Sequence, residues 1–364
     1  MKYDFLIVGA GFAGSVMAER LASQLNKKVL VIDKRNHIGG NAFDEYDKNG
    51  ILIHRYGPHI FHTNNEKVFK YLSLFTDWEF YEHKVLAKLG EDYYPIPINR
   101  TTINKLYKAN FTTNDEVKEF LNSKKERRYP IRNSEDIIVN QVGYDLFEKF
   151  FKHYTKKQWN IEPKDLSPAV CGRVPVRFDN DDRYFTDKYQ FMPKDGYTKM
   201  FERMLTHKNI EIRLNTDYFD ILSDEKYNFL IYTGPIDRFF NYKYGKLPYR
   251  SIRFEWKNLN IEKVQPVGVV NYVDPNKAYT RVTEYKHLTM QNTRTTTISY
   301  EYTQADGEPY YPVPTEESHA TYHKYQHEVR KINNVIFTGR LATYQYYNMD
   351  QVVGAALKQF EEYL

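Results

Sequence analysis

Near its start the chain reads YDFLIVGAGFAGSVMAERLASQ, residues 3 to 24. A short apolar run breaks at Gly9, Gly11 and Gly14 and then takes up helical periodicity, which predicts a strand, a tight turn and a helix. KKVLVIDKR follows as a second buried strand and ends in Asp33. Parallel strands joined by a right-handed helical crossover are the first half of a dinucleotide-binding fold, so the fold class is α/β. The glycines let backbone approach a pyrophosphate at a helix N-terminus, where unpaired amides and the macrodipole favour anions. Asp33 is placed to accept hydrogen bonds from a ribose 2′-hydroxyl.

A glycine pattern of this kind is weak alone, because glycines also make ordinary turns. KRNHIGGNAFDEY adds Arg35, Gly39 and Gly40, a second glycine turn passing close to the same pyrophosphate. Flavin proteins of the glutathione-reductase type carry this continuation and plain nicotinamide enzymes usually lack it, so FAD is the expected cofactor. YTGP at 232 to 235 ends a strand where flavin domains bring the chain back beside the cofactor, or is a simple strand-terminating turn. FTGRLATYQYYNMDQVVGAAL places Arg340 after a strand and starts a helix near Met349 or Asp350, whose free amides would face the flavin.

Residues 66–165 read as mostly helical, in segments such as NEKVFKYLSLF, NDEVKEFLNSKKE and VGYDLFEKFFKHYTKKQW. From about 205 the pattern alternates through IEIRLNTDYFDIL, YNFLIYTGP, YRSIRFEWKNL and later segments, which predicts antiparallel strands. NNVIFTGR and MDQVVGAALKQFEEYL then look like the first domain again. The expected organisation is a discontinuous Rossmann-like FAD-binding domain (1–65, 190–240 and 330–364), an inserted helical domain (66–165) followed by a mobile loop (166–185), and a twisted antiparallel β-sheet substrate domain (241–329).

Composition narrows the partners. A net charge of +5 spread over scattered Lys and Arg does not indicate a nucleic-acid groove, although a localised anionic ligand is compatible with it. The single Cys171 excludes an internal disulfide. No signal peptide and no membrane-spanning run is apparent, and a cytoplasmic location is expected. His59 and His62 lack the further ligands that would complete a metal site, so no metal is expected. There is no Gly-x-Ser-x-Gly elbow and no paired-carboxylate arrangement.

The stretch CGRVPVRFDNDDRYF, 171 to 185, gathers Arg173, Arg177 and Arg183 in a loop too polar for a buried strand. Taken alone, Arg173 and Arg177 would simply pair with Asp179, Asp181 and Asp182. The wider sequence argues otherwise for one of them. HRYGPHIFHT, FFKHYTKKQW, RVPVRFDNDDRYF, KDGYTKM, NYVDPNKAYTRVTEYKH, EPYYPV and GRLATYQYYNMD together resemble the bacterial UDP-galactopyranose mutases, over essentially the whole chain.

That resemblance implies a flavoenzyme, usually a homodimer, that interconverts UDP-galactopyranose and UDP-galactofuranose. The reaction has no net redox change but needs reduced FAD, whose N5 serves as nucleophile, and therefore an electron donor of unknown identity. Carried over motif by motif, Arg173 and Arg281 clamp the diphosphate, where a planar, permanently charged fork suits phosphate oxygens, and His59 shapes the flavin face. Arg177 is expected to be structural. The cofactor is expected against Gly9, Gly11, Phe12, Ala13, Gly14, Asp33, Lys34, Arg35, Gly40 and Asn41. His59, Ile60, Phe219, Gly234, Arg340, Met349, Asp350, Gln351 and Val352 complete that set. The substrate is expected against His83, Phe150, Phe151, Tyr154, Thr155, Trp159, Tyr184, Asn271, Tyr311 and Tyr346 together with the two arginines.

Three departures from the family pattern leave the sugar open: His83 where Asn is common, Asn348 where Asp is frequent, and SPAVCGR before the loop arginine. The alternatives are a mutase preferring UDP-N-acetylgalactosamine, an FAD-dependent oxidoreductase of amine-oxidase-like topology, and a non-catalytic nucleotide-sugar binding protein that retains flavin.

Overall fold

The computed structural model describes residues 2–221 and 226–362. The last residue of the 210–222 segment and the last two of the segment MDQVVGAALKQFEEYL lie outside the described residues. One sheet has five parallel strands in the order Ile210–Arg213, Val29–Ile32, Tyr3–Val8, Tyr227–Tyr232 and Val335–Phe337. Val29–Ile32 is buried at every residue, as an apolar run covered on both faces should be. Helices Phe12–Leu25 and Met349–Glu362 pack together on one face. A cluster rich in tyrosine, including Tyr218, Tyr232, Tyr322, Tyr325 and Tyr344, closes the other, so part of the tyrosine excess is core.

Ile210–Arg213 and Tyr227–Tyr232, expected among antiparallel strands, are parallel members of this sheet. Alternation reports which face is buried and carries no information on strand direction. Gly9, Asp33 and Thr233 all follow the carboxyl ends of strands, where open α/β sheets bind their ligands.

A second sheet has seven strands, in the order Tyr311–Pro312, Tyr249–Leu259, Thr296–Gln304, Arg281–Glu284, Val269–Tyr272, Val85–Leu89 and Asp92–Ile96. It is mixed rather than antiparallel throughout, because Val269–Tyr272 and Val85–Leu89 run parallel. The last two strands correct the reading of 66–165 as a helical domain with mostly helical segments. VLAKLGEDYYPI is a hairpin turning at Gly90, with Pro95 on the edge strand, where its missing N–H costs no ladder bond. Val85, Ala87 and Ile96 form the floor on which the helical residues Ile103, Val117, Leu121 and Ile138 pack. Helices Arg100–Tyr107 and Asn114–Lys124 start at capping boxes on Asn99 and Thr113. The 241–329 region is likewise not sheet alone, since it ends in the helix Glu316–Val329, whose Tyr322 and Tyr325 join the tyrosine cluster of the first sheet. Among the described residues no helix is long and apolar enough to cross a membrane.

Candidate active site

The turn after Tyr3–Val8 borders a cavity of about 1010 Å³. Helix Phe12–Leu25 begins at Gly11 with no side-chain cap and no acidic residue in its first turn, so its leading amides are free for an anion. The second glycine turn is tied to the first by the Gly39 N–H donating to the Ala10 carbonyl at 2.8 Å. A Cβ at Gly40 would lie 2.8 Å from the Gly11 Cα, and one at Gly14 only 1.9 Å from the Gly9 carbonyl oxygen. Backbone on both sides of this cradle is thus bare. A dinucleotide pyrophosphate fits such a donor set.

Asp33 accepts from the Ala10 N–H and the Arg35 N–H, each at 2.9 Å, so it shapes the turn while lining the cavity. Arg35 lies 4.2 Å over the Tyr56 ring and donates to the Asn41 Oδ1 at 3.0 Å. Phe12, Ala13, Lys34, Phe219, Gly234, Met349 and Val352 line the same cavity. Three expected cofactor residues have other tasks. Gly14 permits close packing at the turn, the Asp350 Oδ2 accepts from the Thr63 hydroxyl at 2.8 Å, and the Gln351 Oε1 accepts from the Asn348 N–H at 2.8 Å.

A second cleft of about 550 Å³ adjoins this cavity. Asn41, His59, Trp159, Tyr310, Arg340 and Met349 line both, and form their common wall. Every expected substrate residue lines the second cleft, with Ile60 beside them. Phe150 and Phe151 project into one end from a π-helical turn, Phe147–Lys152, that runs on into helix His153–Trp159 with Tyr154 and Thr155. Burial holds the Tyr154 phenol up at about 12, so it serves as a neutral donor.

Three guanidinium groups meet in the cleft. Arg173 lies 4.1 Å over the Tyr346 ring and donates to the Asn348 Oδ1 at 3.2 Å. Arg340 lies 5.3 Å over the same ring and donates to the Tyr310 carbonyl at 3.3 Å. Neither has a carboxylate partner among the described residues. Arg281 differs: its Nε is 3.1 Å from the Oε2 of Glu301, a charge contact not aligned as a hydrogen bond. Burial opposes the Arg281 charge, but Glu301 and the surrounding tyrosines outweigh it and raise its pKa. Burial also raises Glu301 despite Arg281. We take the guanidinium as charged, which leaves the cleft net positive. Arg177 is spent on its own loop, donating to the carbonyls of Asp181, Arg183 and Tyr184, while Arg183 pairs with Asp181 and Glu82.

The His59 Nδ1 lies 2.8 Å from the Gly57 carbonyl, which only accepts, so that nitrogen carries the proton and Nε2 keeps its lone pair. Burial, reinforced by His54, lowers the His59 pKa to about 3. His62 instead pairs with Asp187 at 3.0 Å and stacks on Phe185. Among the described residues no three metal-ligating side chains cluster. Glu301 and Lys157 were not singled out by sequence. A carboxylate in a strand and a lysine in a helix give no signal until the fold shows what each one faces.

His54 and His83 are 1% and 4% exposed, and burial lowers each to about 3. Unfolded imidazoles bind protons below about 6.5 while these native ones do not, so stability falls as pH drops from 6.5 towards 3. With His59 lowered to the same range, urea unfolding between pH 7 and 5 should show a slope approaching about 4 kcal/mol per pH unit, uptake of three protons. Replacing His83 by Asn should remove about a third of it, and a flat profile would contradict the burial of these rings.

A dinucleotide cavity that meets an arginine-lined cleft through a common wall defines a cofactor-dependent enzyme acting on an anionic ligand. A family model described as UDP-galactopyranose mutase matches residues 149–346, one described as an NAD(P)-binding Rossmann-like domain matches residues 7–75, and the chain belongs to the UDP-galactopyranose mutase family. A probable UDP-galactopyranose mutase of Klebsiella pneumoniae is 39% identical over 99% of this chain and 94% of its own length. A dTDP-fucopyranose mutase of Escherichia coli is 38% identical over 99% of this chain and 98% of its own. A crystal structure of reduced UDP-galactopyranose mutase matches the fold with a TM-score of 0.80, at 15% identity over 100% of this chain and 94% of that one. A putrescine oxidase shares the topology more distantly, with a TM-score of 0.59 at 13% identity over 99% of this chain and 98% of that one. The chain is thus a flavin-dependent sugar-nucleotide mutase of the pyranose–furanose type.

Proposed function

We propose that this enzyme interconverts UDP-galactopyranose and UDP-galactofuranose with FAD in its reduced form. The observation that carries this reading is the wall common to the glycine cradle and the arginine cleft. FAD would be held by the free amides at Gly11 to Ala13, by Asp33 and Arg35, and by the turn at Gly39 to Asn41. When bound, reduced flavin supplies a nucleophile for the anomeric carbon and takes no net electrons from the sugar.

The chain's own residues do the rest. Arg173 and Arg281 take the diphosphate and stabilise the charge that develops as the bond to the anomeric carbon breaks. Phe150, Phe151 and Tyr154 offer apolar and stacking surface to the base. The bare Nε2 of His59 is an acceptor at the common wall, suited to orienting a sugar hydroxyl. With Arg173 seated on Tyr346 and Asn348, the 171–185 loop limits water at the cleft.

The relative at 38% identity favours one second reading, dTDP-fucose as the sugar nucleotide. Anaerobic protein, with and without dithionite, should be incubated with UDP-galactofuranose, dTDP-fucofuranose and UDP-N-acetylgalactosamine, and the products separated by chromatography. The expected result is conversion of UDP-galactofuranose only after reduction, without stoichiometric flavin oxidation. Faster turnover of another nucleotide would reassign the sugar, and bleaching of the flavin when substrate is added without dithionite would favour an oxidase.

A further inference from the structure

Lys157 lies on helix His153–Trp159, between Tyr154 and Trp159 of the cleft. Its side chain leaves the cleft and enters the loop that joins the paired strands Val269–Tyr272 and Arg281–Glu284. There Nζ donates to four backbone carbonyls, those of Tyr272 at 2.7 Å, Asp274 at 2.9 Å, Lys277 at 3.0 Å and Tyr279 at 3.1 Å. An ammonium has three protons, so one bond is shared. No carboxylate pairs with it among the described residues. The Asp274 Oδ1 instead accepts from the Asn276 N–H at 2.8 Å, within the same loop.

Four converging carbonyls make the environment a loop normally offers to a bound monovalent cation. Here the cation is covalently attached to the neighbouring helix. The loop matters because Asn271 and Arg281 are register partners at its base, and both line the cleft. A second strap runs beside the first, with the Thr303 hydroxyl donating to the Lys157 carbonyl.

We propose that Lys157 is a positioning residue, a tethered cation that fixes the 272–280 loop to helix His153–Trp159 and so sets Asn271 and Arg281 at a defined distance from Tyr154 and Trp159. In its reference to the diphosphate the inference rests on the substrate reading above. Base end and phosphate end of the cleft stand on different elements, and this contact holds them in register.

Lys286 supplies a control, for it too donates to three backbone carbonyls, of Glu262, Thr293 and Thr295, but borders neither cavity. In flavin-loaded protein, Lys157→Met should speed amide exchange of the 269–284 segment and weaken UDP binding, each by roughly tenfold, with KM rising more than kcat falls. Lys286→Met should lower stability yet leave UDP affinity within about twofold of the parent. If Lys157→Met does not fold, Lys157→Arg decides, since a planar fork cannot gather four carbonyls on one nitrogen, and its UDP affinity should fall at least about threefold. Unchanged UDP affinity in the folded Lys157 variant overturns the proposal, as does an equal loss in the Lys286 variant. Parent protein that does not bind UDP sinks the substrate reading instead, and the exchange comparison then decides whether the lysine holds the loop.

Discussion

Arg173→Ala keeps its flavin and its unfolding midpoint but loses about two to three orders of magnitude in turnover, the scale of removing a charge that acts on the transition state. Arg173 is exposed on the loop, stacks on one ring and pairs with no carboxylate among the described residues, so its removal strands no buried charge there. Arg281→Ala should separate from it cleanly. Glu301, 2% exposed, would lose its charge partner, and breaking a buried pair costs about 3–5 kcal/mol. The second variant should therefore lose turnover and stability together. Turnover assays on reduced protein, with urea unfolding of the same samples, test both. An active Arg173→Ala would remove the diphosphate clamp from the mechanism.

Gly14→Ala should yield colourless protein, destabilised by more than about 4 kcal/mol. The added methyl would sit 1.9 Å from the Gly9 carbonyl oxygen, a backbone atom that can yield only by unwinding the turn that presents the amides of Gly11 to Ala13. Gly354→Ala is the matched control. It lies in helix Met349–Glu362 with its nearest neighbour, a Val68 methyl, at 3.5 Å, so alanine there should be neutral or gain up to about 1 kcal/mol in helix propensity. Flavin absorbance of the purified variants distinguishes them. A yellow Gly14→Ala protein of unchanged stability would show that the cradle tolerates what its geometry forbids.

Local patterns made the first β-α-β unit legible, because Gly9, Gly11, Gly14 and Asp33 each answer a short-range demand: a tight turn, a close approach, a carboxylate at a strand end. The hairpin at 85–96 was not legible. Its two strands are short, one contains Pro95, and they persist only because the seven-stranded sheet supplies a partner more than 170 residues away. The same cause hid the parallel direction of Ile210–Arg213 and Tyr227–Tyr232.

For the site, residue types in sequence marked which side chains carry charge or ring surface, and family resemblance grouped them. They could not show that one wall serves both cavities, that Glu301 sits behind Arg281, or that Lys157 reaches four carbonyls of a distant loop. By itself, then, the sequence determined the nucleotide-binding unit, which depends on neighbours within a few residues, and marked the arginines and the aromatic helix as candidates. Tertiary structure alone decided which of these groups face one another. Contacts between residues 100 or more positions apart are set by how sheets and helices pack, and no short stretch of chain encodes that.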